Sequence, residues 1–129
     1  MRTALLLIAL SLFGYCQDET VSGHGGQPAT WVLRSIDGIP VAARVTLTFP
    51  EEGVIEGEAP CNRYFAQQTV PYPWFSAERI TSARRACSDL DAESRYLRAL
   101  GKMTLVEIAG DMLILSSDSG REMVFRTQE

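Results

Sequence analysis

Arg44-Val45-Thr46-Leu47-Thr48-Phe49-Pro50-Glu51-Glu52-Gly53-Val54-Ile55-Glu56-Gly57-Glu58-Ala59 is the stretch on which the fold turns. Its first six residues alternate polar and apolar, the period of a strand with one buried face. Val45, Leu47 and Phe49 are therefore expected inside, and Thr46 and Thr48 in water. Pro50-Glu51-Glu52-Gly53 reads as a turn. Beyond it Glu56 and Glu58 share one face while Ile55, Gly57 and Ala59 share the other, which makes the whole stretch an antiparallel hairpin.

The same grammar extends in both directions. Trp31 to Ile36 reads as a strand that ends at Asp37-Gly38, a strong hairpin dipeptide. Tyr64 to Val70 is a further strand, stopped by Pro71 and Pro73, and Trp74 to Thr81 adds another. Ser88-Asp89-Leu90-Asp91 then opens a run of helix formers, with Ser88 as the expected N-cap and Gly101 as the expected left-handed terminator. Leu90, Glu93, Tyr96, Leu97 and Leu100 fall on one side of that helix. Three strands close the chain as a meander, Met103 to Ile108, Met112 to Ser116 and Arg121 to Arg126. The expected class is mainly β: a small antiparallel β-barrel or half-barrel of about seven to eight strands with one α-helix over about 89–100.

The first residues address a compartment. Met1-Arg2 carries positive charge and Ala4 to Phe13 is an apolar run, which together read as a secretory signal peptide over 1–16. The run is about half of the roughly 20 residues that a membrane span needs. Gly14-Tyr15-Cys16 has two readings. Cleavage after Cys16 would release a soluble protein; lipidation of Cys16, as in a bacterial lipoprotein, would tether it. Residues 17–29 are polar, hold Gly23, Gly25 and Gly26 and show no apolar periodicity, so they are expected to form a flexible linker before one domain over 30–127. The expected location is outside the cytoplasm, periplasmic or membrane-tethered. The chain carries 12 basic against 16 acidic residues. That balance argues against nucleic acid as a partner and leaves Cys16 as the expected route to a membrane.

The order Trp31-Val32-Leu33, Gly38, Thr46-Leu47-Thr48-Phe49, Gly57, Cys61-Asn62-Arg63-Tyr64, Thr81 to Cys87, Glu93, Tyr96-Leu97, Ala99-Leu100, Gly110-Asp111, Leu113, Leu115, Gly120 and Phe125 resembles the META domain. That is the family of the bacterial heat-shock protein HslJ. Pro60 stands where many members have glycine, and Ala83-Arg84-Arg85-Ala86-Cys87 departs modestly from their usual segment. The resemblance implies a non-enzymatic envelope protein linked to stress or envelope integrity, without established catalytic residues.

The chemistry-bearing residues agree with that expectation. With Cys16 lost or lipidated, Cys61 and Cys87 remain as an even pair, for which a disulfide is the expected state outside the cytoplasm and two separate buried thiols the alternative. His24, the single histidine, lies in the expected linker, which leaves a cysteine nucleophile without a base and removes the common zinc patterns. No cofactor is expected. Glu56 and Glu58 read as a wet strand face, and Glu51 and Glu52 as a charged turn. Asn62 is a candidate for holding the turn after Cys61. Glu93 lies on an otherwise apolar helix face, so it is either exposed or buried against a partner, with Arg63 and Arg84 as candidates. Arg84 and Arg85 could instead meet an anion. Tyr72, Trp74 and Phe75, held extended by two prolines, form either a projecting patch for a partner or a plug for an open barrel end. An envelope protein or a small ligand is the expected partner; a ligand inside the barrel would need an open interior.

Overall fold

The computed structural model describes residues 17–128. The expected signal peptide and Cys16 lie outside the described residues. Nine strands and one α-helix follow in chain order: β1 (Trp31–Ile36), β2 (Ile39–Pro40), β3 (Thr46–Leu47), β4 (Val54–Glu58), β5 (Arg63–Gln67), β6 (Glu78–Ser82), α1 (Leu90–Leu100), β7 (Leu105–Ala109), β8 (Met112–Ser116) and β9 (Glu122–Thr127). All pairings are antiparallel. One sheet has the order β2-β1-β9-β8-β7 with β3 also on β1; the other is β4-β5-β6. The class is mainly β with one helix, as expected, but the sheets do not close into a barrel.

Two short bridges join the sheets. Thr48 N–H donates to the Glu56 carbonyl at 2.7 Å and Glu56 N–H returns to Thr48 at 3.0 Å. At the far edge, Phe75 N–H donates to the Thr104 carbonyl at 2.9 Å and Val106 N–H to Pro73 at 2.8 Å. The halves therefore form a curled shell around one core that includes Trp31, Leu47, Phe49, Ile55, Leu113 and Phe125. Among the large side chains buried in it are Trp31, Tyr64, Tyr96, Phe49 and Phe125.

Several elements form for the reasons visible in the chain. Asp37 and Gly38 both adopt positive φ, 51° and 77°, as a two-residue hairpin turn requires, and Ile36 pairs with Ile39 across it. Asp37 then fastens the turn to β9. Its carboxylate accepts from Glu122 N–H at 3.0 Å and from Arg121 at 3.1 Å, and these two contacts hold its carboxyl below the ordinary value. Val45, Leu47 and Phe49 face the core as the alternation required.

Thr46 departs from that alternation. It is buried rather than wet, because β3 lies between β1 and the start of the second sheet. Thr46 Oγ1 accepts from Glu58 N–H at 2.9 Å, and its carbonyl accepts from the Tyr64 hydroxyl at 2.6 Å. The Tyr96 hydroxyl meets that of Tyr64 at 2.5 Å. Since the Tyr64 proton goes to the Thr46 carbonyl, Tyr96 donates to Tyr64. Gly57 leaves the space for this chain: a Cβ there would lie 2.1 Å from the Thr46 carbonyl oxygen and 2.5 Å from the Tyr64 hydroxyl.

Both helix ends differ from expectation. Asp89, not Ser88, precedes α1 and makes no side-chain cap. The carbonyl of Cys87 accepts from Leu90 N–H at 3.2 Å, and its Sγ lies 3.4 Å from Asp89 N, so Cys87 takes amides that a cap would otherwise serve. Gly101 is right-handed, φ −66°, because the chain continues through Lys102 N–H to Ala99 and Met103 N–H to Leu100 and draws Met103 into the core. Leu90, expected on the covered face, is exposed at the first position of the helix.

The segment expected as a flexible linker is partly packed. A 3-10 turn over Val21–His24 places Val21 wholly inside the core. Asp18 accepts from the hydroxyls of Thr20 and Ser22, so these polar side chains satisfy one another. Trp31 Nε1 donates to the Gly26 carbonyl at 3.1 Å, and Tyr72 N–H to Glu19 at 2.7 Å. A single apolar anchor among mutually bonded polar residues leaves no periodic signature, which is why the sequence reads as linker.

Gly57→Ala should lower stability by about 2–3 kcal/mol, read as a reduced urea midpoint, because neither neighbour is the free end of a flexible chain. Burial pushes the phenols of Tyr64 and Tyr96 above the ordinary 10.0. Above about pH 10 the unfolded chain therefore releases protons that the folded chain retains, so their contribution is full below that pH and falls as pH rises. In an alkaline titration followed by tyrosine absorbance, these two phenols should ionise only together with unfolding.

Candidate functional site

The stretch Cys61-Asn62-Arg63-Tyr64 lies where β4 turns back into β5. Three elements meet here. A disulfide joins Cys61 to Cys87, with Cα atoms 5.6 Å apart, and so ties this turn to the approach of α1. Closing a loop of 26 positions contributes about 3–4 kcal/mol on the chain-entropy account.

Beside the bridge, Glu93 is 2% exposed. Its Oε1 accepts from the backbone N–H of Asn62 at 2.8 Å and of Cys61 at 3.2 Å. Its Oε2 accepts from Asn62 Nδ2 at 2.7 Å. Asn62 is buried as well. Its Nδ2 also donates to the Arg85 carbonyl at 2.9 Å, and its Oδ1 accepts from Arg85 N–H at 2.7 Å. One amide thus reads the segment before Cys87 as a strand neighbour would, and one carboxylate gathers three donors. An amide fits because it supplies both donor and acceptor; aspartate would lack the donors that reach Glu93 and Arg85.

Neither expected arginine reaches Glu93. Arg63 is exposed on β5, 3.9 Å from Glu56 and over the Phe65 ring at 5.8 Å. Arg84 lies on an exposed loop with φ 59°. The partner of Glu93 is Asn62 together with two main-chain amides. Sequence separation of about thirty residues hides that pairing, though an acidic residue on an apolar helix face did mark Glu93 as needing one.

The aromatic stretch divides. Phe75 is buried, and Tyr72 is half-buried, stacked on His24 with ring centroids 4.8 Å apart, while its hydroxyl accepts from Ile108 N–H at 3.3 Å. Trp74 alone projects, 56% exposed. The projecting three-ring patch is thus not formed. His24 is exposed, but its Nδ1 lies 2.9 Å from the Thr20 carbonyl, so it is held rather than loosely solvated. Glu56 is half-buried and Glu58 exposed, a wet face as expected.

The polar side chains of the junction are engaged within it. Its cysteines are bonded to each other, and its carboxylate and amide are buried and occupied. Among the described residues no group of three or more His, Cys, Asp or Glu side chains is placed to hold a metal ion, and no helix is long and apolar enough to cross a membrane.

Fold and junction together define a two-sheet β domain whose single helix is clamped by a disulfide and a buried carboxylate. The META domain family profile matches residues 27–129, and the chain belongs to that family. Solved structures share the fold. A protein from Burkholderia xenovorans, known by NMR, is 22% identical, with a TM-score of 0.66 over 84% of this chain and 87% of that one. A second NMR structure is 20% identical, with a TM-score of 0.61 over 78% and 89%. The crystal structure of a DUF4847 family protein from Bacteroides vulgatus has 12% identity and a TM-score of 0.64 over 84% and 99%. No curated protein matches the chain.

Glu93→Ala leaves two buried main-chain donors and the Asn62 amide without an acceptor and should cost about 3 kcal/mol in denaturant unfolding. Arg63→Ala and Arg84→Ala should each stay within about 0.5 kcal/mol. Equal losses from the three substitutions would restore the arginine pairing that the geometry excludes.

Proposed function

We propose that the protein is a non-enzymatic META-domain protein of the bacterial cell envelope, exported and serving stress response or envelope integrity. The observation that carries this reading is the Cys61–Cys87 bridge at the junction of turn and helix. Such bonds persist outside the cytoplasm and are reduced within it, and a domain of about 100 residues gains a large share of its modest stability from one. The leader-like run from Met1 to Phe13 and the resemblance to the HslJ family support the same location.

The non-enzymatic part is supported by how the reactive side chains are employed. Cys61 and Cys87 consume each other, Glu93 and Asn62 are saturated beneath the helix, and His24 leans on Tyr72. Each has a structural occupation, and none faces another in the pairing that nucleophile and base require.

Expression of the full chain with its own leader in a bacterial host tests the reading. Osmotic-shock and membrane fractions should contain the protein, with Cys61 and Cys87 protected from alkylation until a reductant is added. Retention in the cytoplasm with both thiols reactive would overturn it. Intact mass then separates a lipid-modified Cys16 from a chain beginning at Gln17. Loss of the gene should lower survival of heat or envelope stress, and unchanged survival would remove that part of the function.

A further inference from the structure

A groove of about 580 Å³ runs between one flank of α1 and the β1–β2 hairpin with its following residues 41–43. It opens over the packed core, whose residues Leu33, Val45, Tyr96 and Ala99 close its bottom. Its accessible apolar surface comes from half-buried Ile36, Val41 and Ala43 on the sheet side and Ala92 on the helix. Ile39, 69% exposed, stands at the lip. Alanines 42, 43 and 92 keep the walls low.

The rim is charged and unevenly so. Arg95, Arg98 and Lys102 recur at three- and four-residue spacing and therefore line one side of the helix and its extension. All three are exposed, and none of them makes an ion pair among the described residues. Arg121 also borders the groove but is engaged by Asp37 at 3.1 Å. Asp89, at the other end of the helix, is the one remaining carboxylate in the lining. A chain with a net charge of −4 thus places three uncompensated cations beside an apolar trough.

What the lining lacks in variety bears on the occupant. Its residues are either apolar or charged, with no Ser, Thr, Asn, Gln or His; the one hydroxyl, on Tyr96, is directed to Tyr64. A peptide laid there would bring backbone amides that need partners, and burying them unpaired costs free energy. Pro40, in the bordering edge strand, has no N–H to offer. A hydrocarbon chain with one anionic head makes no such demand. Its methylenes gain by leaving water, and its head is drawn to the guanidinium groups. The volume lies within the usual range for small-molecule sites, roughly 300–1,000 Å³.

We propose that this groove binds a single-chain anionic amphiphile, with the acyl chain against Ile36, Val41 and Ala92 and the carboxylate or phosphate head on Arg95, Arg98 and Lys102. The helix that the Glu93 junction fixes in place is then also the charged wall of a ligand site. This inference stands apart from the compartment assignment, because it rests on groove chemistry alone.

Titration of the purified, isotope-labelled protein with dodecanoate below its micellar concentration tests it by NMR. The methyl signals of Ile36, Ala43, Ala92 and Ala99 should shift saturably, with a Kd below about 100 μM. Dodecyltrimethylammonium should bind at least about tenfold more weakly, and a hexaglutamate peptide should not compete. The triple variant Arg95→Gln, Arg98→Gln, Lys102→Gln changes only exposed positions and should keep its fold while losing about tenfold in affinity. Ala92→Phe, filling the groove, should abolish the shifts while near-ultraviolet circular dichroism stays native. Dodecyl phosphate binding as dodecanoate does would show that the charge and not the carboxylate is recognised, in keeping with the proposal. Equal binding of the cationic amphiphile, undiminished binding by the triple variant, peptide competition or the absence of saturable shifts would each overturn it.

Discussion

Glu93 carries a carboxylate beneath α1, where water is excluded and three N–H donors from Cys61 and Asn62 converge on it. Withdrawing such a group from water costs several kcal/mol unless its lone pairs are met, so helix and turn are stable only in the arrangement that supplies all three donors. Asn62 extends the constraint to Arg85 through both ends of its amide. Turn, helix and approaching segment therefore hold one another in a single geometry, and the disulfide closes the same triangle covalently. The bridge limits how far the unfolded chain can separate these pieces, whereas the polar contacts decide how they are oriented.

A second set of contacts carries that order into the core. Tyr96 lies one turn beyond Glu93, and its hydroxyl reaches Tyr64, which reaches the Thr46 carbonyl. Helix, second sheet and first sheet are thus linked in sequence through two phenols. The rings also meet edge-on, Tyr64 with Tyr96 at 5.4 Å between centroids and Tyr96 with Phe125 at 6.5 Å. Gly57 makes the arrangement possible by contributing no side chain where β4 crosses the Tyr64 hydroxyl. Its place on the inward face of a strand, where a larger apolar residue would otherwise be favoured, reflects that crossing.

Much of this was legible in the chain wherever the signal was local. The Asp37-Gly38 turn, the inward set Val45, Leu47 and Phe49, the extent of β8 and most of α1 follow from two- and three-to-four-residue periods. The cysteine pair followed from number and from the expectation of export. Thr46 escaped because alternation assumes that one face of a strand is wet, and here β3 is enclosed by a second sheet whose position is a tertiary fact. The partner of Glu93 escaped because a charged residue suggests an opposite charge, whereas the shell supplied main-chain amides and Asn62. Val21 escaped because one residue cannot make a period. The groove beside α1 was not visible either, since Ile36, Val41 and Arg98 come together only when the helix is laid across the hairpin.

The turn at Cys61 and Asn62 is thus occupied with assembly, while Arg95 and Arg98 of α1 face outward. That division makes the junction the point on which both the fold and any function of the helix depend. Native-state hydrogen exchange at the amides of Asn62 and Arg85 tests it most directly. Both amides should exchange only with global unfolding, at rates matching the core strands β8 and β9. Exchange of either one at rates typical of a solvated loop, while β8 and β9 remain protected, would contradict the account.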